Sequence, residues 1–248
     1  MPCALVLSAG ALFGAYQAGA WNALSRRFQP DLVVGASAGA INGWAIAGGC
    51  STADLLAMWL DPATAELTRP RFPWVPWKGC IDPTALARHV RDLYARFKPR
   101  MPYSATMVEV PRLRLVRVPH DRITPEHLMA SCAVPFGYPP VHIDGKLYVD
   151  GGVLDILPVW AAAEMGATRV IAVNALPLMP SRPLRAALRV VRLVGRKPKV
   201  SGVEVVEIRP RAPLGSVRDA LVWRPENVRR WIQQGEDDAI SGTAPRPE

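Results

Sequence analysis

The stretch Asp31-Leu-Val-Val-Gly35-Ala36-Ser37-Ala38-Gly39 constrains the fold of this chain more than any other. Apolar, partly β-branched residues run into Gly-x-Ser-x-Gly, and Ala40, Ile41, Trp44 and Ile46 continue at roughly helical spacing. The pattern predicts a short buried strand, a turn too tight for ordinary residues, and a helix. A serine at such a turn projects its hydroxyl out of the fold. Its own and the next backbone N–H are then expected to aim forward from a helix N-terminus, the setting of an acyl-transfer nucleophile. Gly35 and Gly39 are the glycines that such a turn requires. The motif arises by chance about once in twelve chains of this length, so its meaning depends on what partners the rest of the chain supplies.

The chain has 248 residues, half of them hydrophobic, enough to bury one large core, and one domain over 1–248 is expected. No apolar run reaches the ~18 residues of a membrane span. The start, Met1 to Ser8, lacks a basic leader and reads as a first core strand rather than a signal peptide. Cys3, Cys50, Cys80 and Cys132 are far apart with no Cys-x-x-Cys spacing. That argues against bound zinc and for reduced thiols in a cytoplasmic compartment.

In order, a strand at 3–8 leads through the small-residue turn Ala9-Gly10-Ala11 to a helix at 14–24, which ends in Arg26 and Arg27. Strand 31–34 and helix 38–48 follow, and this alternation implies a parallel sheet covered on both faces. A short helix is expected at 52–60. The stretch 69–79 is rich in Pro and Trp, which excludes a continuous helix. It reads as a loop whose tryptophans pack on the domain, with an active-site flap or interfacial anchor as the functional alternative. Asp82-Pro83 opens a helix to about Phe97, and 104–118 holds two strands paired as a hairpin. Thr124-Pro125-Glu126 starts a helix ending near Cys132. Two short strands then flank the Asp144-Gly145 turn, the second ending at Asp150. Helix 158–165, strand 168–174, strand 203–208 and helix 225–238 complete the chain.

Residues 182–199 carry seven of the basic residues and no acid, in a chain of formal charge +9. Arg182, Arg185, Arg189, Arg192 and Arg196 recur at helical spacing on one face, with Leu184, Leu188, Val191 and Val194 on another. A basic amphipathic helix suggests peripheral contact with an anionic membrane, and the alternative is a solvated outer helix. No reader fold accompanies the charge, so nucleic-acid binding is not expected.

Ser37 needs a base. None of His89, His120, His127 and His142 follows a late strand, where a Ser-Asp-His order would put the histidine. Asp150 ends a strand and is followed by Gly151 and Gly152, which permit close approach of backbone or ligand. An aspartate can serve as sole base if it contacts the hydroxyl and a dry pocket raises its pKa. Asp144 is a turn residue, and Asp155 is suited to cap the following helix or support the site. The 9–11 turn follows the first strand of a parallel sheet, so it is expected beside Ser37, where its N–H groups can form an anion nest. A dinucleotide site is the competing use of that turn, but Gly-x-Gly-x-x-Gly is absent, only Gly10 and Gly14 remaining.

Three stretches together resemble the patatin-like phospholipases. They are Leu5-Val-Leu-Ser8 to Gly14-Ala-Tyr-Gln17, then Gly35-Ala-Ser37-Ala-Gly39, then Ala130-Ser-Cys-Ala-Val-Pro135 through to Asp150-Gly-Gly152, and Leu157-Pro-Val159 and Val170-Ile-Ala-Val173 extend the match. The resemblance covers most of 3–175; the basic helix 182–199 lies beyond it, while the end of the closing segment 203–238 looks like the family's last helix. It implies a three-layer α/β/α sandwich around a mainly parallel sheet, and hydrolysis of lipid acyl esters such as phospholipid or lysophospholipid through an acyl-enzyme. Ser37 would be the nucleophile, Asp150 the general base, and the backbone N–H groups of Gly10 and Ala11 the oxyanion hole; no metal or organic cofactor is implied. The family's oxyanion turn is usually Gly-Gly-Gly-x-Arg/Lys-Gly, and here Ala9, Ala11 and Phe13 depart from it. If either alanine needs φ > 0, strain of order 1 kcal/mol follows. A lipid-binding or regulatory protein with weak turnover is therefore the alternative, in which Phe13 is free to line an acyl pocket.

Overall fold

The structure is a computed structural model. It describes residues 1–72, 78–177, 181–195, 198 and 200–242, with backbone alone for 182–184, 187 and 194. Among the described residues, eight strands form one sheet: β1 (Cys3–Leu7), β2 (Leu32–Ala36), β3 (Tyr103–Val110), β4 (Arg114–Pro119), β5 (Val141–Ile143), β6 (Lys146–Asp150), β7 (Arg169–Val173) and β8 (Glu204–Ile208). Their order is β5-β6-β3-β2-β1-β7-β8, with β4 also on β3. β3, β2, β1, β7 and β8 run parallel, and β4, β5 and β6 are antiparallel additions. The helices are α1 (Gly14–Leu24), α2 (Ala38–Ala47), α3 (Thr52–Leu60), α4 (Pro83–Arg96), α5 (Pro125–Ser131), α6 (Val159–Glu164), α7 (Arg182–Val194), α8 (Val217–Leu221) and α9 (Pro225–Gly242).

Alternate residues of the central strands feed two cores, one on each face of the sheet. Leu5, Leu7 and Val33 pack with α1, α2 and α9, while Ala4, Val6 and Val34 pack with Trp160 and Ala161 of α6. This is the α/β/α layering implied by the sequence. α1 and α9 meet backbone to backbone: a Cβ on Gly19 would lie 2.0 Å from the Ile232 carbonyl oxygen, and one on Gly235 would lie 2.1 Å from that of Tyr16. Local chemistry fixes the element ends. Ser51 and Asp82 accept from the N–H groups of Asp54 and Thr84 at the starts of α3 and α4. Asp144 and Gly145 both take positive φ, 48° and 71°, in the β5–β6 turn. Among the described residues, no helix is long and apolar enough to cross a membrane.

The register of β3 positions the site. β4 pairs with β3 from Ser104 to Glu109, β2 pairs with it from Tyr103 to Thr106, and β6 from Met107 to Val110. Because β4 overlaps both of the others, it occupies one edge of β3 and they share the opposite edge. β2 runs parallel to β3 and ends with Ala36 against Thr106, while β6 runs antiparallel and ends with Asp150 against Met107. Two strands thus arrive head to head, and the residues at their tips, Ser37 and Asp150, are driven together.

Candidate active site

Ser37 joins β2 to α2 at φ 55°, ψ −126°, a left-handed conformation for a residue with a side chain. The glycines around it are obligatory. A Cβ on Gly35 would lie 2.1 Å from the Gly39 carbonyl oxygen, and one on Gly39 would lie 2.4 Å from that of Leu7. The Ser37 N–H donates to Ser131 Oγ at 3.1 Å, and the Ser131 hydroxyl donates to the Thr106 carbonyl at 2.8 Å. This corrects one sequence expectation, because the serine's own N–H is engaged from behind rather than aimed forward. Ser131 lies within the Ala130–Pro135 motif, but nothing in its spacing announced this contact.

Asp150 is 2% exposed. Its N–H donates to the Ala133 carbonyl at 3.0 Å, and its Oδ1 accepts from the Gly152 N–H at 2.7 Å. Burial pushes the Asp150 carboxyl up to about 7, against the lowering effect of hydrogen bonding from the Ser37 side chain and the Gly152 N–H. The contact with Ser37 falls short of an aligned hydrogen bond, since Oδ2 is buried with no hydrogen-bond partner among the described residues. A buried carboxyl beside a serine, with one oxygen unpartnered among the described residues and a pKa near neutrality, is suited to take a proton. Behind it, the turn Gly151–Val153 rests on the facing loop: a Cβ on Gly152 would lie 2.6 Å from that of Ala9.

None of the four histidines hydrogen-bonds to Ser37 or Asp150 among the described residues. His127 pairs with Thr124 in a capping box, His120 Nδ1 accepts from the Tyr103 N–H at 3.4 Å, and His142 is exposed on β5. His89 lines the cavity wall from α4, its pKa lowered by burial.

The 9–11 turn lies beside Ser37, at the end of β1. The Ala9 N–H is taken by the Ile156 carbonyl at 2.8 Å, while the N–H groups of Gly10 and Ala11 make no hydrogen bond among the described residues. Gly10 is extended at φ −176°, and Ala11 is left-handed at φ 49°. The strain anticipated for this turn thus falls on Ala11 and not on Ala9. A buried network braces the turn. Gln17 Nε2 donates to the Ser8 carbonyl at 2.6 Å, Asn42 Nδ2 donates to Gln17 Oε1 at 3.0 Å, and Trp59 Nε1 donates to Asn42 Oδ1 at 2.9 Å. Ser8, α1, α2 and α3 are thereby locked together.

These groups open into a cavity of about 570 Å³. Its walls are apolar, with Phe13, Ile41, Trp59, Leu188 and Val191 among them, and no Lys or Arg lines it among the described residues. Phe13 packs edge-on against Trp231, with ring centres 5.0 Å apart. Val134, Phe136 and Leu221 line the cavity and remain exposed at 42%, 70% and 40%. A second, open depression of about 440 Å³ on α4 contains none of the candidate residues.

α7 ends at Val194, short of the expected 199. Its arginines do not share one solvent face. Arg189 is exposed, Arg185 is half-buried, and Arg192 turns inward, donating from Nη2 to the Gly152 carbonyl at 3.1 Å and from Nε to the Val153 carbonyl at 3.2 Å. Asp155 does not cap α6, whose N-cap position is taken by Pro158; it is buried, and its charge acts on Arg192. The Arg182 side chain, Arg196, Trp74 and Trp77 lie outside the described residues.

Fold and site together define an α/β protein with a serine on a strand–turn–helix elbow, facing the buried carboxylate of Asp150. A family profile described as patatin-like phospholipase matches residues 5–163, and the chain belongs to that family. No curated protein matches the sequence. Among solved structures the chain is similar to VipD from Legionella pneumophila, with a TM-score of 0.57 at 16% identity, over 97% of this chain and 66% of that one. It also aligns with the type III effector protein ExoU, at 0.45 and 14% identity, over 97% of this chain and 52% of that one. The chain thus spans just under two-thirds of the first and about half of the second, and the likeness to VipD is one of fold.

Proposed function

We propose that this chain hydrolyses acyl esters of lipids, phospholipid or lysophospholipid, with Ser37 as nucleophile and Asp150 as its only general base. The observation that carries the reading is the head-to-head ending of β2 and β6, which brings a strained serine against a buried carboxyl of pKa about 7. Ser37 Oγ attacks the ester carbonyl carbon while its proton passes to Asp150. The N–H groups of Gly10 and Ala11 receive the oxyanion, and Gly35, Gly39, Gly151 and Gly152 allow the backbone to close around the reacting atoms. Collapse of the intermediate expels the alcohol, which takes the proton from Asp150 and leaves an acyl-enzyme. Water then attacks, again giving its proton to Asp150, and the acid is released with the Ser37 hydroxyl restored. The apolar cavity, free of Lys and Arg among the described residues, suits an acyl chain, with a charged head group left at the mouth. Residues 1–248 act as one domain in this reading.

A second reading, a lipid-binding protein with weak turnover, has one observation in its favour: Ala11 occupies the left-handed position of the oxyanion turn. We further propose peripheral contact with an anionic membrane at the cavity mouth. Exposed Phe136, which lines the cavity, and exposed Val190 and Leu193 on α7 would lie at the acyl boundary and Arg189 near phosphate, α7 belonging to a stretch free of acids from 165 to 203. The four free thiols suit a reducing, cytoplasmic setting.

The test is a panel of phospholipids, lysophospholipids and short p-nitrophenyl esters assayed beside Ser37→Ala, with a fluorophosphonate probe. Hydrolysis and labelling that fall at least ~10⁴-fold in the variant support the enzyme. Vesicle binding without hydrolysis by the wild type selects the second reading, and hydrolysis persisting in Ser37→Ala removes the first.

A further inference from the structure

Gly151 and Gly152 pose a problem for a general base. The turn that follows Asp150 must hold the Gly152 N–H on Asp150 Oδ1 at 2.7 Å, yet it starts with the two residues least able to hold a conformation. Something outside the turn must restrain it. On one side Gly152 abuts Ala9. On the other stands Arg192, whose fork spans the two successive carbonyls of Gly152 and Val153 at 3.1 and 3.2 Å. A planar guanidinium with two donors engaged fixes the orientation of both peptide units, which a single point donor does not. Arg192 is half-buried, and burial lowers its pKa while the charge of Asp155 opposes that effect. Its neighbours on α7, Leu188 and Val191, line the cavity. One helix therefore supplies both a wall of the acyl cavity and the restraint on the turn behind the carboxyl.

We propose that Arg192 is a positioning residue for the reaction, acting from α7 through the Gly151–Val153 turn to hold the Asp150 carboxylate in place. The inference rests on the reading of Asp150 as general base. Arg192 does not line the cavity and touches no reacting atom, so its influence passes through the Gly152 N–H. Among the described residues, the groups that face Asp150 are Ser37 and Cys132, whose thiol burial holds well above its ordinary range, and the charged group that acts on Arg192 is Asp155. Loosening the turn weakens N–H donation to the carboxylate, and this disfavours the ionised form.

The pH–rate profile of a soluble p-nitrophenyl ester tests this on wild type, Arg192→Met and Arg192→Lys, each checked for a cooperative thermal melt. The expected result for Arg192→Met is a kcat about tenfold lower at pH 7 with KM little changed, and an acid limb moved up by about half a pH unit or more. Arg192→Lys, which keeps the charge but not the fork, falls between. It also serves as the test variant if the methionine protein does not fold. Wild-type acid limbs in the folded variants overturn the proposal, even if kcat falls, because a merely structural role lowers the amount of competent enzyme without moving its titration. If the wild type itself shows no acid limb, or Ser37→Ala keeps activity, the dyad reading fails instead, and the two failures are thus distinguishable.

Discussion

Two turns face each other across the site, and each leaves a parallel strand with one non-glycine residue in the left-handed region: Ser37 at φ 55° after β2 and Ala11 at φ 49° after β1. Both take a positive φ, but the support differs. Around Ser37 the glycines sit where backbone touches backbone, and Ser131 braces the N–H from behind. In the 9–11 turn the glycine is extended at φ −176°, a Cβ there would meet nothing nearer than Ala175 Cβ at 3.4 Å, and an alanine takes the left-handed position. The first turn uses strain to present a side chain. The second carries two N–H groups without partners among the described residues, which in the proposed reaction receive the oxyanion, and it is braced by the Ser8–Gln17–Asn42–Trp59 network rather than by its own glycines. In the proposed reaction, backbone strain is thus tied to chemistry in one turn and merely tolerated in the other.

The sharpest way to break the comparison is to add one methyl group to each turn. Gly35→Ala is expected to lower unfolding free energy by at least ~3 kcal/mol or to prevent folding, whereas Gly10→Ala should stay within about 1 kcal/mol of wild type in urea denaturation. Equal losses would mean that the turns are supported alike. Ser131→Ala removes the acceptor of the Ser37 N–H and should lose roughly 1–3 kcal/mol of stability, with a drop in kcat larger than any change in KM. Unchanged kcat would show that the elbow holds without its brace. The smallest effect is expected for Ala11→Gly, which should gain about 1 kcal/mol by relieving the left-handed alanine. A thermal melt checks that, and the same variant separates the two functional readings: a large rise in turnover would mean that Ala11 displaces the oxyanion donors.

The sequence shows what local chemistry dictates. The elbow is legible because only glycine fits at positions 35 and 39, and the β5–β6 turn because Asp-Gly matches two positive φ values. The parallel core follows from the strand–helix alternation. What stayed hidden depends on which elements become neighbours. The 104–118 hairpin was visible, but not that β2 and β6 would share the other edge of β3 and meet tip to tip. Ser131, Gln17 and Asn42 act on partners 94, 9 and 25 residues away, with no periodicity to reveal them. Helical spacing put five arginines on one face. It could not tell that Arg192 would find the two successive carbonyls of Gly152 and Val153 at the turn beneath. Gly195 and Pro198 were a legible stop signal for α7, and the longer basic run obscured it.

The central claim is that a lone buried aspartate, and no histidine, activates Ser37. The direct measurement is the rate of fluorophosphonate labelling of Ser37 against pH, in wild type, Asp150→Asn and His89→Ala. Asp150 acts as a base only when ionised and its carboxyl is held up at about 7, so the wild-type rate should rise as pH increases through about 7 and level off above it. His89→Ala should follow the same curve, and Asp150→Asn should label at least ~10²-fold more slowly with the rise abolished. Labelling that survives in Asp150→Asn with its pH dependence intact, or that loses this dependence in His89→Ala, would contradict the account.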